Sequence, residues 1–227
     1  MADLYYADFS SMDVEELIKK YEDKVDRQRL SKITRTRADE ARVRSLLAGY
    51  LLQKAVKEHL GIGTSEAVLD LRYRYGEKGK PYLADYPRLF FSISHSGNLV
   101  ACIAAGQEVG IDIQMHVKLK ENLAERFFST EECMLLRNTK DEHEYRKLFF
   151  QLWSIKESYI KYTGRGMSQA LNSFQIDFDK KEIKESISGQ WKACAEFESI
   201  TFEKQPDFAG CVCMKKTEKI KMIECLI

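Results

Sequence analysis

Proline is scarce in this chain of 227 residues, which holds three, and its charges nearly cancel: 36 Lys and Arg against 35 Asp and Glu leave a formal net charge of +1. The first shortage argues against long disordered linkers. The second removes any global field that would attract a nucleic acid or an anionic membrane, so an anion must be met by local groups. No apolar run approaches the ~18 residues needed to span a bilayer. The opening Met1-Ala2-Asp3-Leu4-Tyr5-Tyr6 has no basic segment leading into an apolar one. A cytoplasmic protein with neither nucleic-acid nor membrane partners is expected. A C-x-x-C pair and a histidine cluster are also missing, so the six cysteines read as reduced thiols. Cys211 and Cys213 would share one face of a strand and read as packing residues.

What is present suffices for a core, with 44% hydrophobic and 11% aromatic residues. The length allows one large domain or two small ones. An acidic helix is predicted near Asp13 to Tyr21, followed by a base-dense stretch of Lys24, Arg27, Arg29, Lys32, Arg35, Arg37, Arg42 and Arg44. That stretch reads either as a solvated basic face or as an anion site. Its end enters a helix with Thr36 as N-cap and Val43, Leu47, Tyr50 and Leu51 as the buried stripe, stopped by Gly61. Leu69 to Tyr75 alternates like a strand and leads into the turn Gly76-Glu77-Lys78-Gly79-Lys80-Pro81. This turn is not a Walker A loop, because Pro81 stands where a hydroxyl should meet magnesium. Glycines beside a lysine nevertheless let backbone N–H groups and an ammonium approach one anion together.

Phe90 to Gly97 and Leu99 to Ala104 read as a hairpin, and Val109 to Gln114 as a strand with Asp112 and Gln114 on one face. Helices are predicted over Leu119 to Arg126, Thr130 to Arg137 and Tyr145 to Thr163, the last closed by Gly164. Short alternating runs over 174–178, 191–195 and 210–214 suggest antiparallel sheet. On the long helix, Leu148, Leu152, Ile155 and Tyr159 make a core stripe, with Phe150, Trp153, Glu157 and Lys161 opposite. The second group reads equally as a polar site against apolar walls or as an i,i+4 ion pair on a helix packed on two sides. Asp112 could add a second carboxylate, a set that suits magnesium. Ser94-His95 does not make a nucleophile and base, since neighbours on a strand point to opposite faces and no G-x-S-x-G elbow surrounds them. His95 is better placed to donate to a bound anion.

Together, Gly79-Lys80-Pro81, Phe91 to Gly97, Gly110-Ile111-Asp112-Ile113, Arg126-Phe127-Phe128-Ser129 and Trp153-Ser154-Ile155-Lys156-Glu157-Ser158 with Lys161 resemble the monomeric, two-lobed 4′-phosphopantetheinyl transferases that activate peptide and polyketide synthetases. The resemblance implies an α+β fold of two similar lobes in pseudo-twofold arrangement, each a small, mainly antiparallel sheet with a long helix, divided as 1–107 and 108–227. It implies a monomer holding coenzyme A and Mg2+ in the cleft between lobes. Arg44 corresponds to a ligand of the 3′-phosphate, helped by a base from Arg27 to Lys32. Lys78, Gly79, Lys80 and Pro81, with Ser94, His95, Ser96 and Gly97, correspond to the nucleotide and phosphate cradle. Asp112 and Glu157 correspond to metal ligands, with Glu157 also accepting the carrier serine's proton, and Lys156 and Lys161 flank the pyrophosphate. Gln114 stands where many relatives have a second acid; its amide can still reach the metal or hold a metal-bound water. An acyl or peptidyl carrier protein is the implied partner, docking near Arg126 to Leu136 and Arg165-Gly166-Met167. The competing readings are a catalytically silent coenzyme A or carrier-binding module and a magnesium-dependent phosphodiesterase.

Overall fold

The computed structural model describes residues 1–227 except Thr64, Glu121 and the side chain of Met167. Met167, expected at the carrier-docking segment, therefore lies outside the described residues with respect to its side chain. The chain divides into two compact units, Met1–Gln107 with Glu218–Ile227, and Glu108–Thr217. The expected second lobe, 108–227, thus runs too far: the last strand returns to the first unit. Among the described residues no helix is long and apolar enough to cross a membrane.

The first unit is built on strands β1 (Ala2–Asp8), β4 (Phe90–Ser96), β5 (Leu99–Ala105) and β11 (Ile220–Glu224), in the order β11-β1-β5-β4. β1 pairs parallel with β11 and antiparallel with β5, and β4 and β5 form the expected hairpin. Helix α1 (Val14–Tyr21) is N-capped by Asp13, whose side chain accepts from Glu16 N at 2.9 Å. The base-dense stretch contains a short helix, α2 (Arg27–Ile33), that periodicity did not reveal. The long helix α3 (Asp39–His59) starts three residues after the expected cap: Ala38 precedes it without a side-chain cap bond, and acidic Asp39 and Glu40 fill its first turn. Gly61 follows its end at φ +69°. Val43, Leu47 and Leu51 are buried in one cluster with Val100 and Cys102 of β5, and half-buried Tyr50 packs against them. The strand expected over 69–75 shrinks to β2 (Tyr73–Tyr75), which pairs antiparallel with β3 (Pro81–Leu83) as a separate two-stranded sheet.

The second unit carries a five-stranded sheet in the order β6-β10-β9-β8-β7, from β6 (Val109–Met115), β7 (Phe174–Asp177), β8 (Glu182–Ile187), β9 (Gln190–Ile200) and β10 (Phe208–Met214). All its pairings are antiparallel. Helix α4 (Leu123–Phe127) is shorter than the expected 119–126, and α5 (Thr130–Asn138) follows it. The long helix α6 (Glu142–Thr163) is N-capped by Asp141 and ends at Gly164, at φ +67°. It packs on β6 and β10. Ile155 and Tyr159 enter a cluster with Phe174, Phe197 and Cys211, whereas Leu152, Phe149 and Phe150 join Phe128, Cys133 and Leu136 in another. The expected stripe is thus divided lengthwise: Leu152 packs with Phe150, expected on the opposite side of the helix, rather than with Ile155 and Tyr159. Cys211 and Cys213 are buried, as expected of packing residues, and burial pushes the Cys211 thiol up to about 12.

The seam between α6 and β6 is closed at one glycine. A Cβ on Gly110 would lie 2.0 Å from Ser158 O and 2.4 Å from Tyr162 N, both backbone atoms of α6. Gly110→Ala is expected to destabilise the protein by roughly 3 kcal/mol or more, since rigid helix backbone must shift. Denaturant unfolding monitored by circular dichroism measures it; a midpoint equal to wild type would refute this account of the seam.

Candidate active site

Strand β6 and helix α6 bring two acidic residues of the second unit, Asp112 and Glu157, within electrostatic reach of each other. Asp112 is 3% exposed, and its two oxygens accept from Lys161 Nζ and Gln114 Nε2, each at 2.7 Å. The β6 alternation puts Asp112 and Gln114 on one face, and Lys161 lies one helical turn after Glu157. Half-buried Glu157 stands within electrostatic reach of both: burial raises its carboxyl above the usual range, the Asp112 charge raises it further, and Lys161 opposes them. Lys161 bonds Asp112 across 49 positions of chain.

Lys156 is placed differently from the expectation. It is fully buried, and its ammonium lies 2.9 Å from Glu132 Oε2 and donates to the carbonyls of Leu171 and Phe174 at 2.8 and 2.9 Å. Burial lowers its pKa, with Glu132 pulling back. An ammonium bound on three sides inside the unit does not fit the expected role beside the pyrophosphate. Sequence reasoning passed over Glu132. Its signal was the S-x-x-E spacing from Ser129, which forms a capping box at α5: Glu132 Oε2 accepts from Ser129 N at 2.8 Å. No local pattern showed that the same oxygen would receive Lys156.

In the first unit, Arg44 on α3 donates to Gly97 O at 3.0 Å, tying the helix to the turn after β4. Ser94, His95, Ser96 and Gly97 occupy the end of β4 and that turn, with Gly97 at φ +52°. Arg44 also sits 3.4 Å from Glu40. Lys78, Gly79, Lys80 and Pro81 lie on the β2–β3 turn, where Gly79 takes φ +90° and Gly76 N donates to Lys80 O at 2.8 Å. Lys78 is exposed and Lys80 half-buried. Helix α2 links the two groups: Arg29 Nη1 reaches Ser45 O, beside Arg44, at 3.4 Å, and Gln28 and Asp26 bond Tyr73 of β2.

The chain is similar to known proteins. The family model described as the 4′-phosphopantetheinyl transferase superfamily matches residues 108–213. The 4′-phosphopantetheinyl transferase Sfp of Bacillus subtilis is 34% identical over 172 residues, 75% of this chain and 73% of that protein. The chain belongs to the 4′-phosphopantetheinyl transferase superfamily. The 4′-phosphopantetheinyl transferase gsp of Aneurinibacillus migulanus is 37% identical over 75% of this chain and 66% of its own length. The transferase ffp of Bacillus subtilis is 37% identical over 59% of this chain, which spans little more than half, 57%, of that relative. Among solved structures, the Thermotoga maritima holo-[acyl-carrier-protein] synthase aligns over 48% of this chain and 64% of that chain, with a TM-score of 0.34 and 20% identity. That likeness is too low to bear on the assignment.

The Asp112–Lys161 contact and the buried Glu132–Lys156 pair make separate demands on stability. Lys156→Met leaves a buried carboxylate without its cation and is expected to cost about 3–5 kcal/mol. Adding Glu132→Gln should restore most of the loss. Unfolding midpoints of the two variants measure both effects, and equal midpoints for wild type and Lys156→Met would remove the pair from the structure's supports.

Proposed function

We propose that this transferase moves the 4′-phosphopantetheine group of coenzyme A onto a serine of an acyl or peptidyl carrier protein, releasing adenosine 3′,5′-bisphosphate. The observation that carries the reading is the convergence of Asp112, Glu157 and Lys161 inside the segment matched by the family model. The donor set fits Mg2+: two carboxylates that repel each other, with the Gln114 amide group bonded to one of them, are hard ligands that leave room for water and phosphate. Asp112 and Glu157 would hold the ion, and Gln114 would contribute its amide oxygen or position a water. Bound there, magnesium would supply neutralisation of charge on the pyrophosphate oxygens.

The chain's own residues then have few tasks. The carrier serine's oxygen bonds to the β-phosphorus, the bond from that phosphorus to the bridging oxygen breaks, and the hydroxyl proton passes to a Glu157 oxygen, directly or through water. Lys161, already beside Asp112, offsets charge that develops on the leaving bisphosphate. Arg44, with a base of α2, takes the 3′-phosphate, while Lys78 to Pro81 and Ser94 to Gly97 cradle the nucleotide through backbone N–H groups and short polar side chains. The carrier meets α4 and α5, where Arg126 of α4 is exposed and Met134 and Leu135 of α5 are 58% and 41% exposed. Mixed positive and apolar surface suits an acidic amphipathic helix. A cytoplasmic monomer acting on such carriers is the setting we propose.

Incubation with coenzyme A, Mg2+ and an unmodified carrier, read by mass spectrometry, tests the whole. A carrier that gains phosphopantetheine supports it; binding without modification would leave a silent module, and cleavage of coenzyme A with an unmodified carrier a phosphodiesterase. Glu157→Gln should lower transfer at least about 10²-fold with circular dichroism unchanged, and near-normal turnover would refute its role. Because Gln114 brings no charge, Gln114→Glu should tighten Mg2+ binding about tenfold, ~1.4 kcal/mol. Calorimetric titration measures this; equal affinities would sink it.

A further inference from the structure

Two elements of the first unit are too small to hold their shape alone. Helix α2 has seven residues, well below the length at which an isolated helix is stable in water. The β2–β3 sheet has three residues in each strand and, among the described residues, two strands. They are joined at two tyrosines of β2, Tyr73 and Tyr75. Tyr73 Oη donates to Asp26 Oδ2 at 2.8 Å across 47 positions of chain, and Tyr73 N donates to Gln28 Oε1 at 3.2 Å. Asp26 is 1% exposed, and its other oxygen caps α2 by accepting from Arg29 N at 2.8 Å.

Arg29 closes the arrangement. Its guanidinium lies 5.4 Å from the Tyr73 ring centroid, with Nη2 3.5 Å from the hydroxyl. The side chain has room only because α3 carries glycine at position 49, where a Cβ would lie 2.3 Å from Arg29 Cδ. Further along, Lys32 donates to the Tyr75 hydroxyl and sits 4.8 Å from that ring's centroid. Burial pushes the Tyr73 hydroxyl well above its ordinary pKa, Arg29 working against this and Asp26 with it, so the phenol keeps its proton.

We propose that Asp26, Tyr73 and Arg29, with Lys32 and Tyr75 as an outer pair, form a positioning clamp that fixes the base-rich helix α2 to the hairpin carrying Lys78, Gly79, Lys80 and Pro81, so that cations from both elements meet the phosphates of coenzyme A in one prearranged set. The inference rests on the proposed function and adds to it residues that need not touch substrate. Its physical basis is the cost of a buried carboxylate: Asp26 has the Tyr73 hydroxyl as the partner for one oxygen, and an arrangement that parts them leaves a charged acceptor unsatisfied. Cations held in place before binding lose little freedom when the nucleotide arrives.

Tyr73→Phe keeps the ring and removes the bond. The readouts are calorimetric binding of adenosine 3′,5′-bisphosphate and steady-state transfer with coenzyme A and carrier varied separately. The expected result is bisphosphate affinity and KM for coenzyme A both worse by about five- to tenfold, with kcat and KM for the carrier within about twofold of wild type. In Lys80→Ala the further effect of Tyr73→Phe should shrink, because the hairpin then has less to position. Unchanged affinity and KM, or a fall in kcat with KM unaltered, overturns the clamp. Should Tyr73→Phe fail to fold, Tyr75→Phe at a residue 48% exposed carries the same prediction with a smaller rise in KM, and no rise there overturns it too. Wild type that binds no coenzyme A refutes the functional reading and the clamp's role with it, whereas wild type and variant that bind equally refute the clamp alone.

Discussion

Helix α6 lies against strand β6 at the backbone itself, and the remaining geometry of the second unit follows from that approach. With hydrogen alone on Gly110, Ser158 O and Tyr162 N come to where a side chain would stand. At this distance a strand residue two positions on, Asp112, and a helix residue, Lys161, fall within a hydrogen bond of each other. A bulkier residue at the seam would push the helix outward and part the charges. The glycine of Gly110-Ile111-Asp112-Ile113 is thus a packing requirement with a chemical result.

The charges at the seam are held under opposing demands. Burial and the Asp112 charge both raise Glu157, and Lys161 limits the effect. Two carboxylates brought close in a partly dry site are unfavourable until a cation joins them. Lys161 meets part of this demand, and a divalent ion would meet the rest. The Glu132–Lys156 pair nearby in sequence solves a different problem: it is dry, bonded to carbonyls and joined to a helix cap, so it ties α5, α6 and the start of β7 together rather than facing a ligand. Adjacent residues of one motif, Lys156 and Glu157, therefore face different surroundings, the one the dry interior with Glu132 and the other the charges of Asp112 and Lys161, because neighbours on a helix stand about 100° apart.

The first unit shows the same division of labour. Its core is the α3 stripe on β5, while its short elements depend on side-chain bonds for their placement. Arg44 and Gly97 join helix and turn directly, and Tyr73 joins α2 to the β2–β3 hairpin. Base-rich chain that composition alone would leave on a solvated face is thereby drawn beside the glycine–lysine turn.

Periodicity was enough to expose the two long helices, the β4–β5 hairpin, the strand bearing Asp112 and the antiparallel sheet after Gly164, since each carries a repeat of burial that solvent enforces locally. The motifs marked Asp112, Glu157 and Lys161 as one family's signature. Helix α2, the shortened β2 and the late strand β11 were not legible, because their stability comes from partners forty or more positions away or, for β11, from the far end of the chain. Nor could spacing tell that Lys156 turns inward to Glu132 while Lys161 turns to Asp112. Local sequence determines which residues can be helical, apolar or charged; which charges meet depends on the close packing of distant backbones, and only the folded chain decides that.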